Sequence, residues 1–254
     1  MMDQMHKHTR ARCLRAIIIA TIALPVAPAA VPAQAVTAGR YIPALDPKDF
    51  TSTITNPWFP LTPGTVFHYQ GTGSSSDETT VTEVTTRTRR VAGIPARIVH
   101  DRVFRRGELV EDTYDWYSQD RTGSVWYLGE NTKALSKGRL TNTSGSWTAG
   151  VGGAQPGIIM WGDPAAHLNS RYHQEYLAGT AEDIGMVTST NKDVSVPAGR
   201  YRSCVETLDT TPLEPQVREH KYYCRGVGLV KEAESAATGN VLTAVTHVVA
   251  KPAR

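Results

Sequence analysis

Long apolar stretches are missing from the 254-residue chain after its first few dozen residues, and no uninterrupted helical period of ten residues occurs there. A bilayer-crossing helix needs about 20 apolar residues, so none is expected downstream of residue 35. The usual catalytic signatures are also missing. There is no Gly-x-Ser-x-Gly, no His-Glu-x-x-His, no calcium-loop spacing and no dinucleotide fingerprint. Gly150-Val151-Gly152-Gly153-Ala154 lacks the Lys-Ser/Thr that would make it a phosphate loop. Cysteine is scarce, with three in all. With 40% hydrophobic residues and 21 glycines, the composition is that of a globular chain and excludes disorder, collagen and a coiled coil.

The formal net charge of +3 comes from 27 Lys and Arg against 24 Asp and Glu, and the excess is concentrated at the start. Lys7, Arg10, Arg12 and Arg15 precede an apolar run, Ala16 to Leu24, and a small-residue stretch ending Ala33-Gln34-Ala35. That layout predicts a secretory signal peptide over residues 1–35, cleaved after Ala35, and a secreted or periplasmic protein. Cys13 precedes the apolar run, which is not the place of a lipid-modified cysteine. Removal of residues 1–35 takes four basic residues and one acidic residue, leaving 23 of each. A neutral chain with interleaved charges is not expected to bind nucleic acid.

Residues 36–63 carry Pro43, Pro47, Pro57, Pro60 and Pro63 and predict an extended N-terminal arm, with one helical turn after Asp46-Pro47. Trp58-Phe59 is too apolar for water and predicts that the arm packs onto the following domain. From residue 64 to 254, short runs rich in Thr, Val, Tyr and Trp alternate with Gly, Asn, Asp and Pro. Such runs favour strands, and connections as short as Ala92-Gly93-Ile94-Pro95, Arg106-Gly107 and Lys137-Gly138 imply antiparallel neighbours. The fold expected is a single all-β, mainly antiparallel domain, a curved sheet or partly open barrel, with one short helix near residues 163–169. Gly145 to Asp163 reads as a long glycine-rich loop around the apolar island Ile158-Ile159-Met160-Trp161, either packed under the sheet or contacting a ligand.

Two cysteines remain after residue 35, Cys204 and Cys224, and they predict a disulfide in an oxidising compartment. A hairpin centred near residue 214 sets them opposite each other, and also sets Glu206 opposite Tyr222 and Leu208 opposite His220.

Three clusters could carry chemistry. In Glu108 to Asp120, alternation places Val110, Asp112, Tyr114 and Trp116 on one strand face and Glu111, Thr113, Asp115 and Tyr117 on the other. The first face is the more apolar and is expected inside. Asp112 would then be a carboxylate among aromatics, raised by desolvation unless Arg102 or Arg105 pairs with it. In Arg171 to Tyr176, His173 and Glu175 share a face and form a possible acid/base or metal pair, with Glu182 and Asp183 as further metal candidates. Glu219-His220 would need a partner from elsewhere. The catalytic candidates are therefore Asp112, Asp115, His173, Glu175 and His220, and no cofactor is implied.

The chain resembles a group of exported bacterial proteins without an established activity. The resemblance is carried by Asn56-Pro57-Trp58-Phe59-Pro60-Leu61 with Pro63-Gly64-Thr65, by Glu111-Asp112-Thr113-Tyr114-Asp115-Trp116-Tyr117, by Val125-Trp126-Tyr127, by Gly153-Ala154-Gln155-Pro156-Gly157-Ile158-Ile159-Met160, by Gln174-Glu175-Tyr176 and by Glu219-His220-Lys221-Tyr222-Tyr223 with Gly226-Val227-Gly228-Leu229-Val230. It spans about residues 50–232 and transfers no activity. A fainter likeness, in Phe59-Pro60-Leu61-x-Pro63-Gly64 and Gly226-Val227-Gly228-Leu229-Val230, is to periplasmic proteins with a LolA-like half-barrel, which implies a curved sheet holding an apolar ligand.

The leading functional expectation is a β protein that binds a small hydrophobic or amphipathic molecule on the concave side of its sheet, lined by Trp116, Trp126, Trp147, Ile159 and Trp161. The alternatives are a carboxylate- or histidine-based hydrolase, lyase or metal-binding protein, and a structural envelope protein without catalytic activity.

Overall fold

The computed structural model describes residues 41–234 and 238–247; the expected signal peptide, Cys13 and the site after Ala35 lie outside them. Sixteen strands form one sheet: β1 (Phe50–Thr51), β2 (Thr65–Thr72), β3 (Glu78–Val91), β4 (Ile94–Arg105), β5 (Glu108–Asp120), β6 (Val125–Ser136), β7 (Arg139–Asn142) and β8 (Trp147–Thr148), followed by β9 (Gln155–Met160), β10 (Arg171–His173), β11 (Glu175–Tyr176), β12 (Ile184–Val196), β13 (Gly199–Thr210), β14 (Arg218–Cys224), β15 (Gly228–Ala233) and β16 (Gly239–His247). Neighbours run in the order β10, β12, β13, β14, β15, β16, β2, β3, β4, β5, β6, β9, β11, with β1 on β5 and with β7 and β8 on β6. Every pairing between these strands is antiparallel. The helical content of the described residues is three single 3-10 turns, Pro47–Asp49, Gly73–Ser75 and Pro164–His167.

Local chemistry sets the long hairpins. Ala92-Gly93, Arg106-Gly107 and Lys137-Gly138 each hold two consecutive residues at positive φ (48° and 82°, 51° and 78°, 51° and 69°). Two-residue turns of that hand match the twist of the flanking strands, and glycine in the second place removes half of the steric cost.

The sheet curls into a nearly closed barrel because one short segment reaches both of its edges. Arg171, Tyr172 and His173 pair with Met186, Gly185 and Ile184 of β12, whereas Glu175 and Tyr176 pair with Pro156 and Gln155 of β9. Between the two ladders, Gln174 donates its backbone N–H to Asp183 O (2.8 Å) and its Nε2 to Asp209 Oδ2 (3.1 Å). Gly157 lets the segment cross β9: a Cβ there would stand 2.3 Å from His173 O.

Residues 46–61 pack against the barrel. Asp46 caps the turn at Pro47–Asp49, accepting from Lys48 N–H (3.0 Å). Ile54, Phe59 and Leu61 are buried in the core of the barrel, and Trp58 packs against it. Asn56 fastens the arm. Its Nδ2 donates to Gly123 O (2.8 Å) and Trp161 O (3.0 Å), and its Oδ1 accepts from Trp58 N–H (2.8 Å) and Phe59 N–H (3.1 Å).

Cys204 and Cys224 form a disulfide, with Glu206 opposite Tyr222 and Leu208 opposite His220 as the hairpin spacing predicts. Closing a loop of this length removes about 3 kcal/mol of unfolded-state entropy. The stretch Gly145 to Asp163 departs from expectation. It contains β8 and β9, and its apolar island is mostly the inner end of a strand, buried from Pro156 to Met160. A strand covered on both faces loses the alternation by which strands are recognised.

Replacement of Asn56 by Ala removes the side-chain donor to two carbonyls and the acceptor of the Trp58 N–H, while Phe59 N–H keeps the Asn56 carbonyl, and should lower the free energy of unfolding in urea by roughly 3 kcal/mol.

Candidate binding site at the barrel mouth

The faces of β5 are opposite to the expected ones. Glu111, Thr113, Asp115 and Tyr117 are buried, whereas on the other face Asp112 and Tyr114 are half-exposed and Trp116 is buried. Asp112 therefore does not sit among inner aromatics. It meets His100 Nε2 at 2.5 Å rather than Arg102 or Arg105. The apolar side chains on its face are covered from outside: the Arg89 guanidinium lies 3.8 Å from the Trp116 ring centre, and Arg87 lies 5.2 Å from Tyr114. Cations stacked on aromatic rings shield them without a hydrophobic layer.

The buried side chains are consequently rich in acids, most of them on the inner face. Among the described residues ten buried side chains are carboxylates and two, Arg97 and Lys221, are cationic. Lys221 Nζ lies 3.0 Å from Asp209 Oδ2 and 3.2 Å from Glu219 Oε2. Burial alone would lower its pKa, but the fields of Asp209 and Glu219 outweigh this and hold it well above its usual value. Glu232, which accepts from Asn240 Nδ2 (3.0 Å), is pushed well above the ordinary carboxyl range by burial and by the nearby Glu219.

Asp115 and Glu175 both belong to this interior. Tyr127 Oη donates to Asp115 Oδ1 (2.7 Å), the Tyr127 ring meets Trp147 edge-on at 5.3 Å, and Trp147 Nε1 donates to Glu175 Oε2 (2.8 Å). His173 lies between Tyr41 and Tyr176, with centroids 4.2 and 5.5 Å away, and burial pulls its pKa down against the field of Glu182. Glu182 accepts from Gly179 N–H (2.6 Å) within a turn, and Asp183 offers its carbonyl to Gln174. His220 is on the outer surface, 3.1 Å from Glu206, which also holds Lys192 Nζ at 3.1 Å. No three His, Cys, Asp or Glu side chains converge to hold a metal ion among the described residues.

Two spaces open at one end of the barrel. A void of about 30 Å³ lies inside, walled by Phe59, Phe67, Tyr69, Val99, Tyr117 and Leu229, with Thr82, Asp101 and Asp115 as its polar groups. A groove of about 540 Å³ lies outside it, between Thr62, Thr65, Pro197, Ala198, Tyr201, Thr243 and Val245. Pro60, Phe67 and Val227 border both. Trp116, Trp126, Trp147, Ile159 and Trp161 line neither. Trp126 donates Nε1 to Asp120 Oδ2 (2.8 Å), and Trp161 stacks on His167 at 3.7 Å. The residues around the mouth come from the arm, β2 and the 226–245 region, which are far apart in the chain. The one local signal for them is Trp58-Phe59, whose apolarity requires a cover.

The fold and its end groove define a nearly closed antiparallel β-barrel with an acidic interior and an aromatic-lined mouth. No protein-family model matches the sequence, and no curated protein matches it. Two solved structures are similar to the chain. One is a protein from Bacteroides fragilis described as exported and as having a YmcC-like fold, with 12% identity and a TM-score of 0.43, covering 76% of this chain and all of that one. The other is a protein from Parabacteroides distasonis described as a lipoprotein, with 11% identity and a TM-score of 0.40, covering 74% of this chain and 98% of that one.

Asp101 is the polar group of the void with the fewest compensations. It is 6% exposed and receives a hydrogen bond from Thr82 Oγ1. Desolvation by burial, helped by Glu111, raises its pKa to about 7 against the opposing effects of Thr82 and Arg102. The unfolded chain releases this proton near the ordinary carboxyl value and the folded chain near 7. Folding takes up a proton between those limits, so stability falls as pH rises through that window, and the whole cost stands above about 7. That cost is on the order of 4 kcal/mol. Asp101→Asn should therefore raise stability by roughly 2–4 kcal/mol at pH 8 and hardly at all near pH 4, as read from denaturant unfolding at the two pH values.

Proposed function

We propose that the protein is an exported binding protein that takes a small amphipathic molecule at the mouth of its barrel. The observation that carries this reading is the groove of about 540 Å³ adjoining an aromatic-walled void. Ligand sites are typically concavities of roughly 300–1,000 Å³ with apolar walls and a few convergent polar groups. The void among the inner side chains holds only about 30 Å³, so the bulk of the ligand sits in the groove at the end of the barrel. Export is supported by the basic, apolar and small-residue order of residues 1–35 and by the disulfide between Cys204 and Cys224, since such bonds persist in oxidising compartments.

Enzymatic readings have less support, because His173, Glu175 and His220 occupy three different environments with no shared point for a reacting atom. Val227→Trp, which fills the space between groove and void, should weaken binding of an amphipathic probe such as octanol at least tenfold while the melting temperature stays near that of the unaltered chain. Calorimetric titration reads the affinity. Undiminished octanol binding in the Trp variant would remove the mouth as the site.

A further inference from the structure

The chemistry of the void indicates what enters the mouth. Its walls combine four aromatic rings, those of Phe59, Phe67, Tyr69 and Tyr117, with the carboxyl of Asp101. Asp115, on the same wall, is engaged by Tyr127. The buried carboxylates Glu78, Glu206, Asp209 and Glu219 each have a basic side chain within 3.2 Å. Asp101 has none among the described residues. Arg102, next in the chain, points away to Glu83 Oε2 at 3.7 Å. A buried carboxyl that faces a cavity, lacks a counter-ion and is surrounded by aromatic rings is complementary to a cation, which the ring quadrupoles also attract.

Size narrows the class. A void of about 30 Å³ matches one water molecule or one ammonium group and excludes a quaternary ammonium. Pro60, Phe67 and Val227 border both spaces, so a molecule whose charged end enters the void leaves its apolar part in the groove. We propose that the mouth binds a primary amine with an apolar tail, its ammonium group seated against Asp101 and its tail in the groove. This rests on the mouth being the binding site and adds the charge and size of the group recognised.

A proton is linked to this binding. Asp101 is faced by Tyr69 from β2, Thr82 from β3, Glu111 and Asp115 from β5 and Glu232 from β15, with Arg102 beside it on its own strand. Burial, helped by Glu111, keeps its carboxyl half-protonated near pH 7. An arriving ammonium favours the ionised form, so binding expels a proton and affinity climbs as pH rises through about 7.

The test is calorimetric titration of the folded protein and of its Asp101→Asn variant with octylamine, octyltrimethylammonium and octanol at pH 6 and pH 8. Octylamine should bind at least tenfold more tightly than the other two at pH 8, lose about tenfold of its affinity at pH 6 and release a proton near neutrality. In the Asn variant octylamine should fall to the level of octanol, whose own affinity is unchanged and reports that the mouth is intact. Equal binding of octylamine and octanol to the unaltered protein, equal binding of the trimethyl compound, or a preference that survives Asp101→Asn would overturn the inference and leave the mouth as a site for uncharged amphiphiles. Binding of none of the three would overturn the mouth reading together with it.

Discussion

The structure depends on closure of the sheet by the six residues from Arg171 to Tyr176. An open sheet of this length would present two edges with unpaired backbone groups and a concave face in contact with water. Here the first half of the segment completes the ladder of β12 and the second half that of β9, with Gln174 bridging the two through Asp183 and Asp209. The crossing needs backbone to approach backbone, which is why Gly157 lies beneath His173 and Gln174 and why Gly185 lies beneath the Tyr172 ring. Once the ring closes, whatever its inner face carries is taken out of water.

That inner face carries carboxylates, and their management organises the interior. The Lys221 ammonium satisfies Asp209 and Glu219 in a compact ion-paired group. Glu232 and Asp101 answer burial in the other way, by holding their protons at pH values where exposed carboxyls have lost them. Interiors of this kind gain little from ion pairing and are costly to leave partly paired, so the chain tolerates them where they serve another purpose. The arm, fastened by Asn56, drives Phe59 and Leu61 into the end of the barrel and reduces its lumen there to the small void. Asp101 and the groove that adjoins its void thus lie at the same end.

Much of the architecture is legible in the sequence because it rests on local chemistry. Ala92-Gly93, Arg106-Gly107 and Lys137-Gly138 announce their hairpins, Asp46-Pro47 its capped turn, and the spacing of Cys204 and Cys224 both a disulfide and the register of two strands. Alternation along β5 sorts its side chains correctly into two sets but not into inside and outside. Tyr114 looks like core yet is half-exposed beneath Arg87, Trp116 is buried with Arg89 stacked over its ring, and Glu111 and Asp115 face inward. β9 is hidden for the complementary reason, being apolar on both faces. Apart from Trp58-Phe59, the groove and void have no signature in one stretch of chain, since Phe59, Phe67, Asp101, Tyr117, Val227 and Thr243 meet only after the ring has closed.

The central claim is that closure of the ring leaves buried acids protonated near neutrality, Asp101 foremost among them. It is tested most directly by following the side-chain carboxyl carbons by NMR as the folded protein is titrated from pH 4 to pH 9. The account predicts that Asp101 changes ionisation at about pH 7 and that Glu232 is still protonated well above the ordinary glutamate range. A spectrum in which every carboxyl has ionised by pH 5.5 would contradict it.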